Sequence, residues 1–233
     1  MLYLIGLGLN LDGISAYGLE TARRCKKIYL ENYTVDFPYS FQELEDFIGK
    51  KITALSRERV EDLSLIDEAE KMDVALLIYG SPLTATTHIT LIQEAKASGI
   101  KCKVIYSASI LDAVAETGLQ LYKFGKITSI PKHEAESFIE TVKENEKIGA
   151  HSLILVDIGM DFQDALASLE KAAANHKVKL EKLVICQSLG TKNSKIFYKS
   201  LDELSNLTGV RKPYCIIIPG KLHFVESEFL ESL

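Results

Sequence analysis

Residues 73–80, with the sequence D-V-A-L-L-I-Y-G, contain the apolar run that decides the fold class. An uninterrupted run of this kind is typical of a strand buried on both faces, as in a parallel sheet. The pair Ser81-Pro82 ends the run, and residues 87–97 follow with a helical pattern that Gly99 closes. The stretch therefore predicts one strand–helix unit of a parallel α/β sheet.

The same alternation of short apolar runs and helical patterns extends along the whole chain. Strands are predicted from β-rich runs at residues 2–5, 27–31, 101–106, 153–158, 183–187 and 214–218. Helices are predicted near Ser15, after Ser40, whose spacing to Glu43 is that of a capping box, and at residues 110–116, 133–148, 162–174 and 201–207. This order predicts an α/β protein with two lobes, residues 1–114 and 115–233, in which residues 115–129 lead into the second lobe.

Composition and charge exclude several classes of function. The chain has 233 residues, of which 47% are hydrophobic, and its 27 basic and 32 acidic residues give a net charge of -5. A mildly acidic chain lacks the basic surface of a nucleic-acid-binding protein. No apolar run approaches the ~20 residues of a membrane span, and the N-terminus does not resemble a signal peptide. We therefore expect a cytoplasmic protein that binds neither nucleic acid nor membrane.

The cysteines and histidines do not form the pattern of a metal site. The four cysteines are scattered and are interpreted as reduced thiols: Cys25, Cys102, Cys186 and Cys215. The five histidines lack ligand spacing, and H-E-x-x-H is absent. We expect no metal, and the absence of G-x-S-x-G argues against a serine hydrolase.

Three predicted strands end in sequences that suit a ligand site, because ligands of α/β sheets bind at the carboxyl ends of strands. These are G-L-G-L at 6–9, G-S-P-L-T-A-T-T-H at 80–88 and Y-S-A-S-I at 106–110. Each has a structural alternative: a tight turn for the glycines and helix caps for the hydroxyl residues. Leu11 replaces the third glycine of G-x-G-x-x-G, which disfavours a Rossmann nucleotide site. His88 is more often structural than catalytic in such a position.

Together with other segments, these sequences resemble the diphthine synthases over essentially the whole chain. The family's signatures occur in the same order: M-L-Y-L-I-G-L-G-L at 1–9, S-R-E-R-V-E at 56–61, A-T-T-H at 85–88, S-A-S-I at 107–110, G-L-Q-L-Y-K-F-G at 118–125, H-S-L with D-I in 151–158, and P-G-K-L-H-F at 219–224. The resemblance implies the tetrapyrrole methylase, or class III methyltransferase, fold. That fold has two α/β lobes with S-adenosylmethionine (SAM) in the cleft between them, usually in a homodimer.

The resemblance also implies an enzyme of diphthamide synthesis. Its protein substrate is translation elongation factor 2, in which a histidine carries a 3-amino-3-carboxypropyl group. The amino nitrogen of that group is methylated from SAM, three times in the archaeal enzymes, whose compact length this chain resembles. Two alternatives remain open: a tetrapyrrole methylase acting on precorrin or sirohaem intermediates, and a non-catalytic protein that binds SAM or the elongation factor.

Carried over position by position, the resemblance implies which residues bind SAM. They are Leu9, Ser81, Thr84, Ser109 and Ile110 in the first lobe and Val156, Leu189 and Cys215 in the second. The resemblance implies no catalytic residue that we can name. Three positions depart from the family: Ser81 replaces the acid of G-D-P, Ser188 the arginine of A-R-x-G, and Cys215 a histidine. The predicted SAM pocket therefore has one carboxylate fewer.

Overall fold

Two units, Met1–Ile110 and Leu111–Leu233, make up the chain of this computed structural model, which describes residues 1–62 and 64–233. Each unit is built on its own five-stranded sheet. The α/β class predicted from the sequence is confirmed. The division into lobes after residue 114 stays a prediction.

The sheet of the first unit is parallel throughout. Its strands are β1 (Leu2–Gly6), β2 (Lys27–Glu31), β3 (Thr53–Leu55), β4 (Val74–Ile78) and β5 (Cys102–Ile105). They are ordered β3-β2-β4-β1-β5. All residues of β4 are buried, and β4 pairs with β1 on one side and β2 on the other. The apolar run at 73–80 is therefore confirmed as a central parallel strand.

Helices lie between the strands along the chain and pack on both faces of this sheet. They are α1 (Ala16–Arg24), α2 (Phe41–Ile48), α3 (Arg57–Glu61), α4 (Ser64–Lys71) and α5 (Ile89–Ala97). A short helix, α6 (Ile110–Ala113), begins at the last residue of the unit. Ser15 caps α1, and Ser40 forms the predicted capping box with Glu43. The hydrophobic pattern of the sequence does not predict β3, α3 or α4. A three-residue strand and two short, highly charged helices show too little periodicity.

Glycines bring the ends of β1 and β4 into direct backbone contact. Gly8 and Gly80 form a bridge in which the Gly8 amide donates to the Gly80 carbonyl over 3.1 Å and the Gly80 amide donates back over 2.9 Å. Gly8 has a φ of +71°, and a Cβ at this position would lie 2.7 Å from the carbonyl oxygen of Gly13. A Cβ on Gly6 would lie 2.6 Å from the carbonyl oxygen of Gly80. Both glycines are thus required for backbone packing, which is the turn interpretation of G-L-G.

The sheet of the second unit is mixed. Its strands are β6 (Thr128–Ile130), β7 (Ser152–Val156), β8 (Lys182–Gln187), β9 (Lys195–Ser200) and β10 (Tyr214–Ile218). They are ordered β6-β7-β10-β8-β9. Strand β6 is parallel to β7, whereas β10 is antiparallel to both β7 and β8, and β8 and β9 form an antiparallel pair. Local pattern does not predict β6 and β9, which are a three-residue strand and an incompletely buried edge strand.

Two predicted helices of the second half need correction. The helices are α7 (Phe138–Lys147), α8 (Phe162–His176), α9 (Leu201–Ser205) and α10 (Phe224–Glu231), with 3₁₀ turns at Val114–Thr117 and Leu121–Lys123. The helix predicted at 133–148 begins only at Phe138, because residues 132–134 form a bend, residues 135 and 136 are irregular and residue 137 is in a turn. The helix predicted at 110–116 is α6 followed by a 3₁₀ turn. Among the described residues, no helix is long and apolar enough to cross a membrane.

The backbone contact at Gly8 predicts that adding a methyl group, as in an alanine side chain, greatly lowers the stability of the protein. Gly8→Ala should lower the free energy of unfolding by the left-handed penalty of about 1–2 kcal/mol plus about 1–3 kcal/mol for the clash with Gly13. The matched control is Gly49→Ala, because Gly49 also has a left-handed φ of +76° but nothing lies within 4 Å of its Cβ position. Urea unfolding followed by circular dichroism measures both; equal losses in the two variants would contradict the packing role.

Candidate functional site

The carboxyl ends of β1, β4 and β5 meet at one edge of the first sheet, as in other parallel sheets. The bridge between Gly8 and Gly80 joins the loop after β1 to the loop after β4. The Cβ position of Gly80 lies 3.8 Å from the Cα of Ser109, which adds the loop after β5. The predicted SAM residues Leu9, Ser81 and Ser109 are therefore brought to one edge of the first unit, and all three are buried.

The loop after β4 is held by the carbonyl oxygen of Pro82. This oxygen accepts a hydrogen bond of 2.9 Å from the Thr86 hydroxyl and lies 3.1 Å from Nδ1 of His88. The Thr84 amide donates to the Ser81 carbonyl over 3.1 Å, so these two predicted SAM residues share one turn. Thr86 therefore fixes the loop instead of capping α5, whose N-cap is His88 without a side-chain bond.

His88 supports this loop from inside the protein. Its side chain is only 2% exposed, and its Nε2 lies 3.2 Å from Oε2 of Glu31 at the end of β2. The hydroxyl of Thr34 donates to the other oxygen of Glu31. Burial raises the pKa of Glu31, while the bonds from Thr34 and the charge of His88 act in the opposite direction. His88 thus has the structural role that the sequence favours, with a partner that the sequence does not indicate.

An aromatic group holds the loop after β1, and sequence reasoning missed it. The hydroxyl of Tyr79 donates to the carbonyl of Leu9 over 3.0 Å. The ring of Phe37 lies edge-on to the rings of Tyr79 and Tyr39, with centroids 5.3 Å and 5.5 Å away. Burial raises the pKa of Tyr79, which keeps its hydroxyl a donor. The last residue pair of D-V-A-L-L-I-Y-G, a tyrosine before a glycine, is the only local signal for this contact.

The predicted SAM residues of the second unit also share one edge. Val156 ends β7, Leu189 follows β8, and Cys215 is the second residue of β10. Because β10 runs antiparallel to β7 and β8, its start lies beside their ends. Cys215 pairs in register with Cys186, and the hydrogen bond that the Cys186 thiol makes with Cys215, followed by burial, raises the pKa of Cys186 well above its ordinary value. Both cysteines are free, as expected.

The two most distinctive sequence segments, G-L-Q-L-Y-K-F-G and P-G-K-L-H-F, meet around the carboxylate of Glu226. This carboxylate is fully buried and accepts four hydrogen bonds. The donors are the backbone amides of His223 at 2.7 Å and Gln120 at 2.9 Å, the ammonium of Lys123, and Nε2 of His151 at 3.2 Å. The segments therefore build a polar core within the second unit.

Proton positions in this core are set by the backbone. The amide of Gly220 donates to Nδ1 of His151 over 2.8 Å, so the hydrogen of the imidazole is on Nε2 and points to Glu226. Burial lowers the pKa of His151, and the ring stays neutral. Burial raises the pKa of Glu226, but its hydrogen bonds outweigh that effect and hold the pKa at about 2. The network is charged only at Glu226 and Lys123.

An open surface pocket of about 460 Å³ lies beside this core. It is lined by Tyr122, Lys123, Phe124, Ile148, Gly149, Ala150, Lys221, Leu222 and His223. These residues precede β7 or follow β10, so they lie at the sheet edge opposite to Val156 and Cys215. Among the described residues, no group of three or more histidine, cysteine or acidic side chains could hold a metal ion.

Comparison with known proteins gives the class to which this fold belongs. Residues 1–205 match the sequence profile of the tetrapyrrole (corrin/porphyrin) methylases. The match covers all of the first unit and most of the second, and the chain belongs to this family of methyltransferases.

Closer relatives narrow the assignment. The chain is 40% identical to the diphthine synthase of Methanocaldococcus jannaschii over 100% of its own length and 98% of the relative. It is 45% identical to diphthine methyl ester synthase 2 of Candida albicans over 68% of this chain and 56% of that protein. A crystal structure of diphthine synthase superposes with a TM-score of 0.92 at 33% identity, over 99% of this chain and 94% of the other. The chain belongs to the diphthine synthases, as its sequence signatures predict.

The buried carboxylate predicts a stability that depends on pH. The pKa of Glu226 is about 2 in the folded protein, below the ordinary 4.5. A depressed pKa contributes stability that is full above pH ~5 and is lost as the pH falls toward 2, in total about 3 kcal/mol. Glu226→Gln should therefore lower the free energy of unfolding by about 3 kcal/mol at pH 7, with little difference from the unchanged protein near pH 2.

The control for this variant is Glu228→Gln on the same helix, because Glu228 is exposed. Denaturant unfolding at a series of pH values gives the comparison. An effect of Glu226→Gln that is independent of pH, or equal to that of Glu228→Gln, would contradict the ionised buried carboxylate.

Proposed function

We propose that the chain transfers methyl groups from SAM to the amino nitrogen of the 3-amino-3-carboxypropyl group on a histidine of translation elongation factor 2, three times in succession. The observation that carries the proposal is similarity to diphthine synthases over both units, at 40% identity and 98% of a relative's length. The segments G-L-Q-L-Y-K-F-G and P-G-K-L-H-F, which form one hydrogen-bonded core, support this substrate over a tetrapyrrole.

We propose that SAM binds at the polar loops of the first sheet. Leu9, Ser81, Thr84, Ser109 and Ile110 would contribute from the first unit, and Val156, Leu189 and Cys215 from the second. The structure fits such a ligand in one respect that does not depend on resemblance. The Gly8–Gly80 bridge and the contact of Gly80 with Ser109 bring the loop after β1 and the hydroxyl-rich loops after β4 and β5 to one edge of the sheet, which suits a polar ligand.

For methyl transfer from SAM, the main task of the protein is to position SAM and the amine. Bound SAM supplies a methyl group on a sulfonium, which is already a good leaving group. Alignment of the amine with that methyl group accounts for ~7–11 kcal/mol of barrier lowering in well-oriented reactions. The amine must be neutral, and desolvation within a protein favours its neutral form. Residues 80–88 contain no acidic side chain, and their one histidine is buried against Glu31. The proton of the amine is therefore proposed to leave to water.

We also propose a homodimer that acts in the cytoplasm, where the elongation factor functions. Large apolar side chains of the second unit are exposed in the single chain: Tyr122 at 83%, Ile148 at 76% and Phe224 at 66%. Exposed apolar side chains of this size support a protein-binding surface, and two-fold dimers are the commonest closed assembly.

The decisive experiment is incubation of the protein with SAM and elongation factor 2 that carries the aminocarboxypropyl histidine. Mass spectrometry should show mono-, di- and trimethylated products on that residue. Elongation factor with an unmodified histidine is the substrate control and should not gain methyl groups. Methylation of a precorrin, with none of the elongation factor, would overturn the proposal in favour of a tetrapyrrole methylase.

A second prediction concerns the carboxylate that Ser81 replaces. Two unit charges ~4 Å apart interact by about 4 kcal/mol at an effective dielectric of 20, but dehydration of a carboxylate in this buried loop cancels most of that gain. Ser81→Asp should therefore tighten SAM binding by about fivefold, or ~1 kcal/mol, and S-adenosylhomocysteine, which lacks the sulfonium charge, by less.

Calorimetry on both ligands measures the difference, and Ser81→Asn is the uncharged control of matching size. Equal changes for the two ligands would show that residue 81 does not face the sulfonium.

A further inference from the structure

We propose that Glu31 and His88 share one buried proton, and that this proton positions the carbonyl of Pro82 and, with it, the loop after β4. The consequence for the cofactor rests on the proposed function, in which that loop holds SAM. Glu31 and His88 are positioning residues, because they act through Pro82.

The first step concerns the hydrogen on Nδ1 of His88. The carbonyl oxygen of Pro82, 3.1 Å away, has no hydrogen and can only accept. Nδ1 must therefore carry the hydrogen and donate it. The hydroxyl of Thr86 donates to the same oxygen over 2.9 Å, so both lone pairs of this carbonyl are engaged.

The second step concerns the other ring nitrogen. With the hydrogen of a neutral imidazole on Nδ1, the unprotonated Nε2 would lie 3.2 Å from Oε2 of Glu31. Two acceptors at this distance repel, and both side chains are buried, at 2% and 1% exposure. Within the described part of the chain this oxygen has no hydrogen-bond partner, because its contact with Nε2 has the distance of an ion pair without hydrogen-bond geometry. A proton between Nε2 and Oε2 removes the conflict, either as an imidazolium beside a carboxylate or as a carboxylic acid donating to the ring.

The chain contains a second buried pair that shows why the first needs this proton. Nε2 of His151 also lies 3.2 Å from a glutamate, Glu226. There the Gly220 amide donates to Nδ1, so the single hydrogen of a neutral ring is already on Nε2. In the Glu31 pair an acceptor faces Nδ1 instead, and a neutral ring has no hydrogen left for the glutamate. The distance from Nε2 to the carboxylate is the same in both pairs, but only the Glu31 pair needs a proton in addition to the one on a neutral imidazole.

Other polar groups around Glu31 do not replace this proton. The Thr34 hydroxyl donates to the other carboxylate oxygen, and the backbone amides of Tyr33 and Thr34 also lower the pKa of Glu31. Burial, and then the charge of Glu31, raise the pKa of Tyr33 to about 12, so this phenol stays neutral at ordinary pH. The guanidinium of Arg57 lies 5.5 Å from the centre of the Tyr33 ring, and Glu61 is 3.9 Å from Arg57. Arg57 and Glu61 are both exposed and pair with each other.

Loss of the shared proton at alkaline pH should loosen the loop. Nε2 and Oε2 would then repel each other, and the bond from Nδ1 to Pro82 would be strained. Glu31→Gln supplies the hydrogen permanently, because the amide nitrogen donates to Nε2 while the amide oxygen still accepts from Thr34. This variant should keep the geometry and remove its dependence on pH.

Nitrogen NMR of the imidazole rings tests the proton directly and needs no cofactor. In the unchanged protein at pH 7, His88 should have a hydrogen on Nδ1, and its Nε2 should show the shift of a nitrogen that shares or carries a proton. In Glu31→Gln, Nε2 should show the shift of an unprotonated acceptor. His151, protonated on Nε2 alone, is the internal reference. A His88 ring with its only hydrogen on Nε2 would overturn the proposal.

Calorimetric binding of S-adenosylhomocysteine between pH 7 and 10 tests the effect on the loop. The unchanged protein should lose roughly tenfold in affinity relative to Glu31→Gln, or about 1.4 kcal/mol. The ligand's own amino group titrates equally with both proteins, so only their difference is interpreted. The control is Glu226→Gln, which alters the other pair and should keep the alkaline loss.

The same alkaline loss in Glu31→Gln would overturn the positioning role. Failure of the unchanged protein to bind S-adenosylhomocysteine at any pH would contradict the cofactor proposal instead, and the NMR result would still decide whether the proton is shared. The NMR test on the unchanged protein also holds if the variant does not fold.

Discussion

The backbone contact between Gly8 and Gly80 is the constraint on which the rest of the first unit depends. Adjacent parallel strands normally separate once their hydrogen-bonded register ends, and the loops that follow are free to diverge. Here two reciprocal hydrogen bonds continue the contact beyond β1 and β4. Gly8 can have no Cβ here, because Gly13 packs against its backbone, and Gly8 and Gly80 both adopt a left-handed φ that favours glycine. The loops that carry Leu9 and Ser81 are therefore held together before any ligand binds.

Further contacts fix each of these loops through a backbone carbonyl. Tyr79 holds the carbonyl of Leu9, and Thr86 and His88 hold that of Pro82. The side chains that hold these carbonyls are buried or partly buried, so the loops are anchored from within the protein. This arrangement suits a reaction whose main requirement is alignment, because loops that are fixed in advance lose little entropy when a ligand orders them.

Buried histidine–glutamate pairs illustrate how backbone neighbours decide chemistry. His88 and His151 are both inaccessible and both lie 3.2 Å from a carboxylate. The partner of Nδ1 is a carbonyl in one pair and an amide in the other, and this difference determines how many protons each pair holds. In the second unit the resulting network joins the two segments that identify the family, although it lies at the opposite sheet edge from Val156. Sequence signatures of a methyltransferase family can therefore mark its structural core.

The sequence alone determined the α/β class, the central strand β4, the capped helices and the loops at the ends of β1, β4 and β5. These features depend on local periodicity and on turn chemistry, which the order of residues displays directly. It also indicated the family, because several segments match in the same order. Tertiary structure alone decided the short strands β3 and β6, the late start of α7 and the mixed pairing of the second sheet. It alone revealed the partners of His88, Tyr79 and Glu226. Glu31 and His88 are separated by 57 positions, as their numbers show, and a contact over that distance has no periodicity. It forms only because neighbouring strands of one sheet bring the end of β2 beside the loop after β4.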